Sequence, residues 1–212
     1  MDENGTESAE LIVLRRTPYR ESDVIISGIS PDYGRLELIA YRAAKPDSGF
    51  PALDLFCRIG ATFRPATRDG GMGTLTEGEA VESYPELAEK MENLQFAAKI
   101  GRFLLRNTAE NSPLPLLFDA FGNILSALCG RIAWSRLQCA VMLKLVFLYE
   151  NGLLPGLESM PEVERRRVEA VYERLTECAV GGEPPPAFSE KYWTGLDGYF
   201  NDRIVKSQLS WK

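Results

Sequence analysis

Histidine is absent from the 212 residues. Without imidazole there is no Ser-His-Asp triad, no Cys-His dyad and no His-ligated metal site. Cysteine is scarce: Cys57, Cys129, Cys139 and Cys178 stand 72, 10 and 39 positions apart, and no CxxC occurs. A four-thiolate zinc centre normally arrives as two close pairs, so the expectation is reduced, buried thiols, with no metal and no cofactor. A disulfide framework is equally out of place in a chain long enough to build an ordinary core. Long apolar runs are missing too. The best, Leu137 to Tyr149, is interrupted by Gln138 and Lys144 and falls well short of the ~20 residues of a membrane span. Met1 to Glu10 is acidic and polar, with no basic start and no apolar stretch of a signal peptide, so a cytoplasmic protein is expected. An excess of positive charge is also lacking, since 24 basic side chains face 30 acidic ones. Any contact with nucleic acid must therefore use a local patch.

The two halves of the chain differ in period. From Leu11 to about Val81, short β-branched segments alternate with turns. Leu11-Ile12-Val13-Leu14 reads as a strand ended by Thr17-Pro18, and Val24-Ile25-Ile26 as a second ended by the turn Pro31-Asp32-Tyr33-Gly34. Arg35 to Ala40 restarts at once, Leu53 to Phe63 alternates through Leu55, Cys57 and Ile59, and Gly73 to Glu82 gives a fifth strand. Five short strands in this span suggest a small barrel with the strand count of an OB-fold. From Ser83 onward the spacing is helical. Ser83 with Glu86 resembles a capping box with Pro85 in the first turn, and a helical face follows from Leu87 to Leu105. Further helices are expected from Ser112-Pro113 to Cys129-Gly130, from about Ala133 to Asn151 with Gly152 as its stop, from Pro161 to Val180 and from about Gly195 to Leu209. The third, apolar nearly all round, should be the central helix. The expected fold is α+β: a barrel domain over residues 1–82, then an all-helical domain over 83–212.

Residues 11–72 carry nine basic against seven acidic side chains, with tyrosines and phenylalanines between them. Cations beside aromatic platforms suit single-stranded nucleic acid, because phosphates supply affinity and base stacking is sequence-tolerant. Arg15, Arg16, Tyr19, Arg20, Arg35, Tyr41, Arg42 and Lys45 are the candidates; scattered solvated arginines are the bland alternative. Gly70-Gly71-Met72-Gly73 lacks the GKS/T ending of a phosphate loop and reads as a hairpin turn. Glu77 and Glu79 share a strand face, but nothing nearby suggests a substrate, and no nucleophile–base pair appears, so no enzyme is expected. In the helical half, Arg102, Arg106, Arg131 and Arg136 stand among Phe103, Leu104, Leu128 and Trp134. An apolar cleft rimmed by guanidinium groups would suit a short acidic peptide ending in a carboxylate. Glu164-Arg165-Arg166-Arg167 reads as a solvated face, with Glu162 pairing to Arg166.

Several segments carry a resemblance. Glu10 to Asp23 (ELIVLRRTPYRESD), Pro31-Asp32-Tyr33-Gly34-Arg35-Leu36, Ala40 to Lys45, Gly73 to Glu77, Ser83 to Leu87 and Tyr149 to Pro155 are similar, in order, to the RecO family of bacterial recombination mediators. The resemblance implies an OB-fold followed by a helical domain, and a nucleoid-associated role in DNA repair and recombination. It also implies binding of single- and double-stranded DNA, annealing of complementary strands, and contacts with RecR and the C-terminal tail of single-stranded-DNA-binding protein. The alternative is a non-catalytic interaction adaptor that kept the fold and lost DNA affinity. Many family members carry a four-cysteine zinc motif after the Gly-Leu-Leu-Pro-like segment; Gly156 to Arg167 has no cysteine, so zinc is not carried over. The usually basic loop reads Lys45-Pro46-Asp47-Ser48-Gly49, with one lysine and an added aspartate.

Overall fold

The structure, a computed structural model, describes residues 5–45, 47–51, 53–66, 71–209 and 211. Met1 to Asn4, Pro46 and Gly70, which figure in the motifs above, lie outside the described residues. The chain divides into two compact units, residues up to 85 with 100–115, and 86–99 with 116 onward. Residues 100–115, helical by period, thus group with the strands that precede them.

The first unit holds β1 (Glu7–Tyr19), β2 (Asp23–Ser30), β3 (Gly34–Ala40), β4 (Arg58–Arg64) and β5 (Gly73–Glu82). They close into a barrel in the order β1-β2-β3-β5-β4, every pairing antiparallel except the short parallel closure of Leu38 and Ile39 on Gly73 and Thr74. Alternation builds the core. Ala9, Leu11 and Val13 of β1 meet Val24 and Ile26, Leu38 and Ala40, Ile59, Ala61 and Phe63, and Leu75 from the other strands. The register of β1 on β2 shifts between Val13 and Arg15. There Gly28 lies so close to β1 that a Cβ would sit 2.1 Å from the Ile12 carbonyl oxygen, so only glycine fits.

Two expectations for this unit change. β1 does not end at Thr17-Pro18 but continues through Pro18, paired with Val24, to Tyr19. Beyond Val13, which still exchanges backbone bonds with Phe56 and Cys57, β2 alone pairs with β1 among the described residues, and an edge tolerates a residue without an N–H. Conversely, residues 53–57 are not strand: β4 starts at Arg58, Phe56 has φ 65°, and Leu55 is half exposed. Leu53 and Cys57 still reach the barrel core from that loop, which is why their alternation resembled a strand.

Among the described residues five helices follow: α1 (Met91–Asn107), α2 (Pro115–Leu128), α3 (Arg136–Glu150), α4 (Glu162–Gly181) and α5 (Glu190–Lys206). The Ser83–Glu86 signal opens a single 3₁₀ turn, Pro85–Glu89, and α1 begins only at Met91. α5 starts five residues before its expected Gly195, because Ser189 accepts the Tyr192 N–H as a cap. α3 is central as expected, with Cys139 to Leu148 continuously buried and a Ser135–Gln138 capping box at its start. The Glu162–Arg166 pair forms on α4.

α2 is capped from a distance. Its Leu116 and Leu117 N–H groups donate to the two carboxylate oxygens of Glu150, each at 2.9 Å. A carboxylate at a helix N-terminus satisfies orphan donors and opposes the positive end of the dipole. Burial pushes the Glu150 carboxyl up, while these two bonds pull it down. Glu150→Ala should cost about 1–2 kcal/mol, the scale of a lost cap. In a chain of this size that lowers the melting temperature by about 2–8 °C, measurable by calorimetry. An unchanged melting temperature would show that the cap contributes nothing.

Candidate nucleic-acid interface

The two ends of the β2–β3 pair differ: at one, the flanking residues Arg20, Glu21, Tyr41 and Arg42 are exposed and leave that end free. At the other, the Arg35 N–H donates to the Ala109 carbonyl, the Leu114 N–H to Pro31, and Gly34 turns at φ 65° beneath Ala109 and Ser112. The Arg35 guanidinium belongs to this covered end: it donates to the Leu105 carbonyl at 3.3 Å and pairs with Glu110 at 2.8 Å. Arg35 thus stands apart from the other candidates and fastens residues 105–114 to the barrel.

At the free end two loops meet. The Arg42 N–H donates to the buried Asp23 carboxylate at 2.9 Å, and the Ala44 N–H to the Ser22 carbonyl at 2.9 Å. These bonds hold the segment after β3 against the β1–β2 turn. Arg20 and Arg42 both sit in left-handed backbone, at φ 52° and 59°. Tyr19, Arg20, Tyr41, Arg42 and Lys45 are all exposed here, with Tyr41 at 48% and the Arg20 guanidinium 5.1 Å from the Tyr19 ring. Arg42 reaches Asp47 at 3.7 Å, both ends well exposed, an ion pair weak enough to exchange for phosphate.

The neighbouring arginines diverge. Arg15 lies opposite Ser27 and Arg16 opposite Ile26, so they occupy opposite faces of β1. Arg15 donates to Ser27 Oγ at 3.2 Å and pairs with Glu37 at 3.0 Å. Arg16 is exposed and makes no ion pair among the described residues. Glu21 and Asp47 are the exposed acidic groups at this end; Glu77 and Glu79 stand exposed on β5.

The four arginines of the expected peptide cleft divide between the two units. Arg102 and Arg106 belong to the first unit, Arg131 and Arg136 to the second. Arg131 clamps Glu86 with Nη2 at 2.8 and 2.9 Å from its two oxygens, and Arg136 pairs with Glu92 at 2.7 Å. Phe103, Leu104, Leu128 and Trp134 are buried. Within the second unit, however, a hollow of about 520 Å³ brings Arg136 beside Lys99, Lys144, Phe96, Leu137 and Trp211. Sequence reasoning missed this group. Its one available signal was Lys144, a charge inside an otherwise apolar helix, which demands a partner.

The thiols are quiet. Cys57, whose S–H donates to the Asp54 carbonyl at 2.9 Å, is pushed up to about 11 by burial, Cys129 to about 11 and Cys139 to about 12. They stay protonated at neutral pH, whereas a nucleophilic cysteine must be thiolate. Among the described residues no three His, Cys, Asp or Glu side chains gather as metal ligands, so the residues present do not fit a four-cysteine zinc centre. No helix among them is long and apolar enough to cross a membrane.

A closed five-stranded barrel with this strand order defines an OB-fold-like domain. Residues 5–84 match the family described as recombination protein O, N terminal. The chain is 32% identical over 178 residues to the DNA repair protein RecO of Listeria welshimeri, covering 84% of this chain and 61% of that protein. It is 31% identical over 110 residues to DNA repair protein RecO of Bacillus subtilis (52% and 42% covered), and 27% over 151 to that of Desulfosudis oleivorans (71% and 58%). The likeness to the RecO family thus holds over the barrel and extends through most of the chain. It spans about three-fifths of the length of the Listeria relative.

Proposed function

We propose that this chain is a non-catalytic DNA repair protein whose barrel binds DNA at the free end of β1–β3. The observation that carries the reading is the union of two loops, through Ala44 to Ser22 and Arg42 to Asp23, which sets exposed arginines beside exposed tyrosines. Arg16, Arg20, Arg42 and Lys45 neutralise phosphates, and Tyr19 and Tyr41 stack on bases. No bond is made or broken. Neutralised strands approach one another, which is the physical basis for annealing complementary single strands. Such a role belongs in the cytoplasm, at the nucleoid, with RecR as a partner. The acidic tail of single-stranded-DNA-binding protein fits the hollow of Arg136, Lys99 and Trp211, where cations stand beside apolar surface, its carboxylate displacing the exposed Glu92 from Arg136.

A second reading, the interaction adaptor, is favoured by the formal charge of −6 and by Asp47 in the basic loop. Fluorescence anisotropy on a labelled single strand of about 20 nucleotides, longer than one OB-fold site, separates the two. The DNA reading expects binding at low salt that weakens steadily as salt is added. Absence of binding at low salt would establish the adaptor instead.

A further inference from the structure

The second unit carries an open hollow of about 600 Å³ in which α4 forms one wall. Its apolar surface comes from Leu116, Tyr149, Leu154, Pro155 and Leu157, and Tyr149 is 56% exposed. Glu150, next in the chain, holds the Leu116 side by accepting the N–H groups of Leu116 and Leu117. On the α4 side stand Glu169, Glu173 and Glu177, all exposed and all lining the hollow. Their spacing of four places them one above another on a single helix face. Glu169 and Glu177 have arginine neighbours on the same helix, Arg165 at 3.9 Å and Arg174 at 3.3 Å, but these pairs are exposed and weak.

An apolar floor bordered by one row of carboxylates selects its occupant by charge. It repels DNA and any acidic peptide alike. It complements a helix whose apolar stripe enters the hollow and whose lysines or arginines, also four apart, face the glutamate row. The volume suits one or two large side chains.

We propose that this groove docks a basic amphipathic helix of a partner protein, anchored on Tyr149 and Leu157 and oriented by Glu169, Glu173 and Glu177. This site is independent of the DNA reading and stands if that reading fails.

The test uses the full chain and a fluorescein-labelled peptide of about four helical turns, with leucines at helical spacing and lysines on the flanking positions. A twin with glutamate in place of lysine serves as control. Binding with a Kd on the order of 10 μM is expected for the lysine peptide only. The triple change Glu169→Gln, Glu173→Gln, Glu177→Gln should weaken it about tenfold, and Tyr149→Asp at least as much. Glu77→Gln with Glu79→Gln, on the barrel, should leave the affinity essentially unchanged; circular dichroism confirms that each variant is folded. A photo-crosslinker at a peptide leucine should label residues 149–157 or α4. The proposal is overturned if the twin binds equally, if the barrel pair matters as much as the α4 triple, or if the label lands elsewhere. It is also overturned if Tyr149→Asp abolishes self-association of the chain while the lysine peptide never binds.

Discussion

Replacing Arg16, Arg20 and Arg42 together by alanine should remove most of the salt dependence of single-strand binding. Each phosphate neutralised on a single strand adds about −0.7 to the slope of log K against log salt. Four contacts, from Arg16, Arg20, Arg42 and Lys45, give a slope of about −2.8, so affinity should fall roughly 50-fold between about 50 and 200 mM salt. With Lys45 alone remaining, the slope falls to about −0.7 and the same change in salt costs only about threefold. Arg15→Ala serves as the contrast. Its guanidinium is already shared between Ser27 and Glu37, so its loss should alter the slope by much less than one contact. Tyr41→Ala tests the other half of the mechanism. Stacking is worth about 1–3 kcal/mol per base, so affinity should drop at every salt concentration while the slope stays constant. A triple variant with an unchanged slope would remove the loop pair from the interface, whatever the overall affinity.

The barrel was legible because its core is written in period two. Leu11 and Val13, Leu38 and Ala40, and Ile59, Ala61 and Phe63 each alternate with outward residues, and all of them face the common interior. What the alternation could not express was the path between elements. Leu53 and Cys57 enter the core from a loop, and Pro18 is admitted by an edge that opens because backbone pairing on the β4 side of β1 ends at Val13. The basic candidates were legible as types but not as a constellation. Adjacent Arg15 and Arg16 separate to opposite faces because a strand alternates, whereas Arg20 and Arg42 converge through backbone bonds to Ser22 and Asp23. Arg35 shows the limit most clearly: its partners, Leu105 and Glu110, lie 70 and 75 residues away. Nothing in the local sequence of β3 distinguishes an arginine that fastens a distant segment from one that awaits a phosphate. The helical arginines were equally legible only as types: Arg131 and Arg136 pair with Glu86 and Glu92, 45 and 44 positions away.

Removing Asp197 should destabilise the second unit far more than removing the lysine it holds. Lys144 lies in the buried stretch of α3 with 1% of its side chain exposed, and its Nζ donates to Asp197 Oδ1 on α5 at 2.6 Å. The Trp211 ring lies 4.5 Å from the same ammonium. Asp197 is a quarter exposed and also accepts from Asn201 Nδ2 at 3.1 Å, so it keeps partners without the lysine. Asp197→Ala strands a buried cation, a change that costs about 3–5 kcal/mol in comparable sites. Lys144→Met removes the buried charge at similar volume and should lie within about 1 kcal/mol of the parent, on either side. The pH dependence gives an independent check. Burial lowers the Lys144 pKa below its ordinary 10.5, while the hydrogen bond and charge of Asp197 raise it. Between the lowered folded value and 10.5 the unfolded chain binds more protons, so stability rises with pH in that window. Asp197→Asn withdraws the upward influence, lowers the folded value further and extends the window toward neutral pH. Urea titrations of the Asp197→Asn chain should therefore recover stability as pH is raised from about 7 toward about 10, and the Lys144→Met chain should lack that rise. Equal losses for Asp197→Ala and Lys144→Met would mean that the ion pair, not the stranded cation, sets the energy of the site.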